Sequence, residues 1–324
     1  MFIILNFIFG GLQMSKKSKL GLFRGTVSAI LSALLLFSAL SLFGCQKKED
    51  GHTLGLGVYL EENTDALSVN ATAAAVITDE NGVIVLCRVD SSQAVAQLSG
   101  DKVTSSGTEK TKYEQGKSLA VSEGKYWYEG ADYFEDYVKG KTLSDIEALE
   151  KADSEGKLDA AFLNGCLTSP TGFIRALKRA MISERGVSLS PSDALNAGVG
   201  IDTSVKGDGE GVTFVYGIAA TALSSDKVAA SVIDAAEAEI TVEDGKGKNF
   251  IYSGTKLELG DGYGMVKNGG ASAEWYVQSA NYAKTALGKR SDEVSSLPVD
   301  NVSGCTIDAR PLKESLIRAE KNAR

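Results

Sequence analysis

Two parts of this 324-residue chain match each other in order and spacing, which predicts that one structural pattern is built twice. Cys-Arg-Val-Asp-Ser-Ser-Gln-Ala at 87–94 lines up with Ser-Val-Ile-Asp-Ala-Ala-Glu-Ala at 231–238. At the same spacing of 144 residues, Thr-Lys-Tyr-Glu-Gln-Gly at 111–116 lines up with Thr-Lys-Leu-Glu-Leu-Gly at 255–260. Further matches follow in the same order: Trp127-Tyr128 with Trp275-Tyr276, Gly140-Lys141 with Gly288-Lys289, and Asn164-Gly165-Cys166 with Ser303-Gly304-Cys305.

We therefore predict a tandem duplication, with a first domain at 52–182, a hinge at 183–196 and a second domain at 197–324. The predicted fold class is α+β, in which each domain is a small antiparallel sheet packed with helices. Apolar and β-branched runs at 69–78 and 83–91 flank an Asn-Gly pair, which is typical of a hairpin. The second copy repeats this with strands at 212–223 and 227–234, and shorter strands are expected at 94–98 and 238–242.

Helices are indicated by apolar residues at helical spacing. In the first copy these residues are Trp127, Ala131, Phe134 and Val138. The matching residues of the second copy are Trp275, Ser279, Tyr282 and Ala286. Gly140 and Gly288 are expected to end these helices. A later helix at 171–182 is predicted to begin with Ser169 as N-cap and Pro170 as N1.

The equivalent helix of the second copy is expected to begin at Asp308, and a Gly-Cys turn is predicted just before each of the two helix starts. A helix start presents free backbone N–H groups and the positive end of the helix dipole, which favours phosphate binding.

The first 44 residues are typical of a bacterial lipoprotein signal peptide. Lys16, Lys17, Lys19 and Arg24 precede an apolar run at 27–43, and Leu-Phe-Gly-Cys at 42–45 resembles a lipobox. We predict cleavage before Cys45, lipidation of its thiol, a tether at 45–51 and a position on the extracytoplasmic face of the cell membrane. The alternative is an uncleaved N-terminal membrane helix.

Charge and histidine content exclude several functions. The net charge of −8 disfavours a phosphate-neutralising surface, so no nucleic acid partner is expected. His52, the one histidine, lies at the start of the first domain, which excludes a Ser-His-Asp triad and a multi-histidine metal site. We predict no metal site and no catalytic residues, and an electron-transfer or binding protein rather than a turnover enzyme.

A short motif in the second copy resembles that of a known family. Asp300-Asn-Val-Ser303-Gly304-Cys305-Thr306 is similar to the Asp-x-x-Ser-Gly-Ala-Thr motif of the FMN-binding domain family, with Cys305 in place of alanine. That family includes flavinylated subunits of sodium-pumping and Rnf-type complexes and flavin lipoproteins of Gram-positive extracellular electron transfer. The resemblance implies FMN esterified to Thr306 by a flavin transferase, a site that includes Asp300, Ser303, Gly304 and Cys305, and a membrane redox partner.

The first copy departs from this motif. Leu167 stands in the place of Thr306 and Ala161 in the place of Asp300, so we predict no covalent flavin there, with Thr168 as the alternative acceptor. Three further pairs of residues each have two interpretations. Trp127 and Trp275 are either core residues or rings that stack on a flavin, and Cys166 and Cys305 either fill buried space or form a redox pair. Tyr263 and Met265 are either turn residues or lie at the edge of a flavin.

The leading hypothesis is thus a surface-anchored flavin lipoprotein that carries electrons. The alternative is a flavin-free lipoprotein that retains the fold and uses the groove between the copies for a small ligand or a partner.

Overall fold

Five strands form the first of two antiparallel sheets in the computed structural model, which describes residues 51–100, 102–106, 110–190 and 195–324. The strands are β1 (His52–Asn63), β2 (Ser68–Thr78), β3 (Ile84–Ser99), β4 (Lys102–Ser106) and β7 (Val187–Leu189), in the order β4-β3-β2-β1-β7. The predicted Asn-Gly turn joins β2 to β3, with Gly82 in the left-handed region at φ +76°. A separate small hairpin consists of β5 (Ala120–Ser122) and β6 (Lys125–Tyr126).

Four strands form the second sheet with the same order of successive strands. They are β8 (Leu195–Gly207), β9 (Gly211–Ser224), β10 (Lys227–Glu243) and β11 (Lys246–Ile251), in the order β11-β10-β9-β8. The shorter strands predicted at 94–98 and 238–242 were wrong as separate elements. Both are the ends of β3 and β10: residues 94–98 pair first with β2 and then with β4, and residues 238–242 pair with β9 and β11.

Nine α-helices and two short 3₁₀-helices, Gly116–Ser118 and Gly260–Tyr263, are found among the described residues. The α-helices are α1 (Trp127–Val138), α2 (Leu143–Ser154), α3 (Ala160–Cys166), α4 (Thr171–Ile182), α5 (Lys256–Leu259), α6 (Met265–Gly269), α7 (Trp275–Lys284), α8 (Ser291–Val294) and α9 (Arg310–Lys321). The predicted helices at Trp127, Trp275 and 171–182 are confirmed. Ala286 was expected on the helix that begins at Trp275. It lies just beyond the end of α7 and is buried.

Two predicted helix starts need correction. Pro170 rather than Ser169 is the N-cap of α4, and Ala309 rather than Asp308 is the N-cap of α9. The predicted Gly-Cys turn before α4 was wrong: its residues close helix α3, which turns sharply at Leu167 with φ +60°. In the second half the same pair does lie in a turn, with Gly304 at φ +72°.

The two sheets pack face to face, and one apolar core lies between them. Side chains alternate along β2, so Ala73, Ala75 and Ile77 face the second sheet while Ala74 and Val76 face helices. The second sheet contributes to the same core with Val199, Ile201, Phe214, Tyr216 and Ile218. Helices α1–α4 cover the outer face of the first sheet, and α7–α9 cover that of the second. The structure is thus α+β, with antiparallel sheets packed with helices.

Paired glycines bring one helix directly onto each sheet. A Cβ at Gly55 or Gly57 of β1 would lie under 3.0 Å from main-chain atoms of α4. A Cβ at Gly198 or Gly200 of β8 would lie equally close to main-chain atoms of α9. Residues with side chains at these positions would force the helix away from the strand. The spacing Gly-x-Gly follows from the strand period of two, which turns both glycines toward the helix.

The segment predicted as a hinge is partly structured. Its residues Val187–Leu189 form β7, which pairs antiparallel with β1 at the edge of the first sheet. The described residues from 51 to 324 belong to one compact unit. Within this described part of the chain, no helix is both long and apolar enough to cross a membrane.

We expect Gly200→Ala to destabilise the protein by about 1–3 kcal/mol, the usual cost of overpacking, because its Cβ would clash with the backbone of α9. Urea unfolding followed by circular dichroism should show a lower midpoint. Gly262→Ala is the control, since a Cβ at Gly262 meets no atom within 4 Å. Equal midpoints for the two variants would contradict the assigned role of the Gly-x-Gly contacts.

Candidate functional site

Thr306 lies in the loop before α9, and its side chain is exposed. Its main-chain N–H and its hydroxyl both donate to Oε1 of Gln278, over 2.7 and 2.9 Å. Gln278 is only 1% exposed and is held in α7 by a 2.8 Å hydrogen bond from Nε2 to the Ala273 carbonyl. The acceptor is therefore fixed. The hydroxyl proton of Thr306 is directed into the protein, and both lone pairs of Oγ1 are left for another partner.

The other motif residues divide into two groups. The carbonyl of Gly304 accepts a hydrogen bond from Asn281 Nδ2 at 3.1 Å, and Cys305 is buried among the apolar residues beneath the loop. Asp300 and Ser303 are exposed, and within the described residues no hydrogen bond joins either side chain to Thr306. The structure thus brings Gly304, Cys305 and Thr306 against α7, whereas Asp300 and Ser303 remain on the open side of the loop.

The start of α9 offers fewer free donors than the sequence suggests. Asp308 Oδ1 accepts a hydrogen bond from the main-chain N–H of Arg310 at 3.1 Å and pairs with its guanidinium. Pro311, which follows, has no N–H to offer. A phosphate near Thr306 would therefore find only part of the helix start available.

The remaining candidate residues are mostly core. Trp127 and Trp275 are 5% and 4% exposed, and each packs in the core on the outer face of its own sheet. Cys166 and Cys305 are free thiols in two separate cores, so the structure does not pair them. Tyr263 is half-buried, with the Lys256 ammonium 4.9 Å from its ring centroid. Cys45 lies outside the described residues.

A polar cluster that recurs in both halves was not predicted as a unit. Asp90 Oδ1 accepts hydrogen bonds from the N–H groups of Ser91 and Tyr113, at 2.7 and 2.9 Å. Next to it, Thr111 and Glu114 bond to each other reciprocally, each side chain accepting from the other's main-chain N–H at 3.2 and 3.1 Å. The cluster ties the strand β3 to the segment that leads to α1.

The second half repeats this cluster with the same bonds. Asp234 Oδ1 accepts from the N–H groups of Ala235 and Leu257, at 2.7 and 3.0 Å. Thr255 and Glu258 form the reciprocal pair, with hydrogen bonds of 3.0 and 3.2 Å. The signal in the sequence was the match between the copies itself, which contains all three residue types.

An arginine from the opposite half contacts each cluster. Arg318 of α9 lies 2.8 Å from Glu114, and Arg179 of α4 lies 3.3 Å from Glu258. Both arginines are at the ninth position of their helices. The two ion pairs therefore join the halves in a reciprocal manner, which no local pattern could reveal because the partners are far apart in sequence.

Burial changes the ionisation of the two aspartates. It raises the pKa of Asp90 and of Asp234 to about 7, and the N–H and hydroxyl donors around them only partly offset this. Asp90 Oδ2 is buried with no hydrogen-bond partner in the described part of the chain. The raised pKa follows from the removal of each carboxylate from water without a cation in direct contact.

Two cavities adjoin these elements. A cavity of about 300 Å³ lies between the halves, lined by Gly57, Val58, Arg179, Arg185, Asp234, Leu257 and Glu258 among others. Another, of about 200 Å³, lies at the start of α4 in the first half. Within the residues that the structure describes, no group of His, Cys, Asp and Glu side chains is placed to hold a metal ion.

Comparison of the chain with protein-family models, with curated proteins and with solved structures gives no match. The resemblance of Asp300–Thr306 to the FMN-binding motif therefore stays a prediction, carried by that motif alone.

We expect the protein to become more stable as the pH falls from 8 to 5.5, because Asp90 and Asp234 bind protons in the folded state before they do in the unfolded chain. Each site contributes at most about 1.4 kcal/mol per pH unit in this window. The measurement is the melting temperature at both pH values for the wild type and for the double variant Asp90→Asn/Asp234→Asn, which should show a smaller pH difference. An unchanged pH difference would rule out this account.

Proposed function

We propose that this chain is a surface-anchored flavoprotein that carries electrons through FMN esterified to Thr306. The observation that supports the proposal is the hydroxyl of Thr306, which is exposed and oriented by the buried amide of Gln278. An acceptor hydroxyl for a phosphoester must be reachable by a transferase and must keep a lone pair free for phosphorus. Thr306 meets both requirements.

The loop around Thr306 leaves its hydroxyl accessible to the phosphate end of FMN. Gly304 adds no side chain that would cover the hydroxyl, and Cys305 is turned into the core, so the loop leaves Thr306 accessible. The main-chain N–H of Thr306 is already bonded to Gln278, which fixes the loop before any ester is formed. When bound, FMN would supply reversible electron transfer, while this chain holds it and positions it against a membrane redox partner.

We also propose that the two halves are homologous domains produced by duplication, at 52–182 and 197–324. The support is the repeated strand order, the repeated Gly-x-Gly contacts and the identical hydrogen bonds around Asp90 and Asp234. Independent origin would have to reproduce all three.

The proposed electron carrier is anchored to the extracytoplasmic face of the membrane through lipid on Cys45, after removal of residues 1–44. The support is the basic, apolar and Leu-Phe-Gly-Cys pattern of that segment.

For the anchor, we expect wild-type protein to partition into the detergent phase and Cys45→Ala to remain unprocessed, with its signal segment still attached. Phase partitioning and intact mass give the two measurements. The mass of the mature wild type should include a diacylglycerol on its first residue. A wild type without that added mass would contradict the proposal.

For the flavin, we expect the wild type produced with a flavin transferase to stay fluorescent through a denaturing gel and to gain the mass of one FMN less one water. Thr306→Val keeps the shape of the side chain and removes the oxygen, so it should show neither. Thr168→Val, in the first half, is the matched control and should keep the label. Cys305→Ala, which restores the residue of the family motif, should keep or increase it.

The outcomes separate the hypotheses. An unlabelled wild type together with a labelled Cys305→Ala variant would show that Cys305 blocks esterification. If neither is labelled, the covalent electron-carrier proposal is wrong.

The second candidate function is a flavin-free lipoprotein that binds a small ligand or partner between its halves. It is favoured by the cavity of about 300 Å³, which is lined by Arg179 of the first half, Arg185 of the connecting segment, and Asp234 and Glu258 of the second half. The purified protein would then be colourless even when co-produced with the transferase.

A further inference from the structure

The cavity at the start of α4, here called the α4 cavity, is walled by polar side chains of the first sheet. Asn70 and Thr72 of β2, Ser91 of β3 and Lys112 line it together with Gly172 of α4. Glu61 and the ring of Trp127 complete part of the rim. Its volume of about 200 Å³ suits a molecule of a few non-hydrogen atoms.

Two buried hydroxyls in this cavity, together with the side-chain amide of Asn70, leave one donor without an acceptor. Thr72 and Ser91 are 3% and 2% exposed, and their oxygens lie 2.9 Å apart. Asn70 Nδ2 already donates to Thr72 Oγ1 at 3.2 Å. Only one hydroxyl proton can lie between the two oxygens. The other either has no acceptor among the described residues or is accepted by Asn70 Oδ1 with the amide turned over, which leaves the buried Nδ2 without an acceptor instead. A buried donor without an acceptor costs about 1–3 kcal/mol, which favours an acceptor supplied from the cavity.

Lys112 adds a positive charge to the same cavity. Within the part of the chain that the structure describes, its ammonium has no hydrogen-bond or ion-pair partner, although Glu61 and Asp90 are near enough to favour the charge. Burial lowers the pKa of Lys112, as expected for a cation without a bonded counter-ion. At the matching position of the second half, Lys256 is bonded to Glu237 at 2.9 Å instead.

The start of α4 supplies further donors. Ile174 is the first residue whose N–H bonds back into the helix, to Pro170 at 2.9 Å. The N–H groups of Gly172 and Phe173, which both line the cavity, have no acceptor among the described residues, as is usual in a first helical turn. Gly172 also leaves room, because a Cβ there would lie 2.9 Å from Thr72 Oγ1.

The second half lacks the polar residues of this cavity at the matching positions of its described strands. In the first half, Thr72 of β2 pairs with Ser91 of β3, next to Asp90. At the matching position of the second half, Gly217 of β9 pairs with Ala235 of β10, next to Asp234, so neither hydroxyl is present there. Pro311 packs against Gly217 there, as Gly172 packs against Thr72 in the first half. The polar groups of the α4 cavity are therefore not required by the fold.

We infer that the α4 cavity binds a small oxyanion that carries a hydroxyl, such as hydrogen phosphate or a 2-hydroxycarboxylate. Lys112, the surplus donor of the group Asn70, Thr72 and Ser91, and the N–H groups of Gly172 and Phe173 would hold the anionic oxygens. Asn70 Oδ1, which is buried and has no partner among the described residues, would accept the ligand's hydroxyl. This inference is independent of the proposed flavin at Thr306.

Calorimetric titration of the full-length protein in detergent with inorganic phosphate, lactate and sulfate tests the inference. We expect binding of phosphate or lactate, and weaker binding of sulfate, which has the shape of phosphate but no proton to donate at neutral pH. The ligand that binds identifies the source of the oxyanion. Absence of binding by both phosphate and lactate at 10 mM, roughly the scale of very weak binding, would overturn the inference.

Variants locate the site. Lys112→Met keeps the apolar stem and should weaken binding about ten- to a hundredfold, the usual effect of losing a charge-assisted hydrogen bond. Gly172→Ala should weaken it by filling the space beside Thr72. Lys256→Met is the matched control in the second half and should bind like the wild type. Unchanged binding in Lys112→Met with a wild-type circular dichroism spectrum, or equal loss in Lys256→Met, would show that the anion binds elsewhere.

Discussion

The apolar core between the two sheets is the interaction on which the rest of the structure depends. Each sheet has two faces to cover, and its own helices cover only the outer one. The inner faces must therefore be removed from water by each other, at a gain of roughly 25 cal/mol for each Å² of apolar surface. This explains why most strand residues are buried on both faces, and why Ala is frequent in β2 and β9, where small side chains let the layers approach.

The polar contacts refine this arrangement rather than create it. Arg318 and Arg179 cross between the halves, but partly exposed ion pairs of this kind contribute little to stability. These ion pairs instead help to fix the relative position of the two sheets. Each arginine contacts a glutamate that also caps the segment beside Asp90 or Asp234. A shift of one sheet over the other would break both contacts at once, so the pairs select one alignment from those that the apolar faces allow.

Much of the local structure could be predicted because it depends on short patterns. The hairpin at Gly82 and the helices that begin at Trp127 and Trp275 follow from turn chemistry and helical spacing. Strands β1 and β8 were not identified, because Gly-x-Gly resembles a turn unless the helix packed on it is known. The fixed acceptor of Thr306 could not be predicted either, because Gln278 lies 28 residues earlier in the chain, on helix α7. The hydroxyl pair of Thr72 and Ser91 could not be distinguished from ordinary strand residues without the β2–β3 register.

The shared inner core also has a consequence for how the chain matures. The first sheet can pair its strands β1 to β4 as soon as they are made, but its inner face has no partner until β8, β9 and β10 follow. During that interval the chain carries a broad apolar surface of the kind that attracts chaperones and neighbouring nascent chains. The order of synthesis thus makes the first half dependent on the second, and a chain interrupted near residue 190 would be left with this surface uncovered.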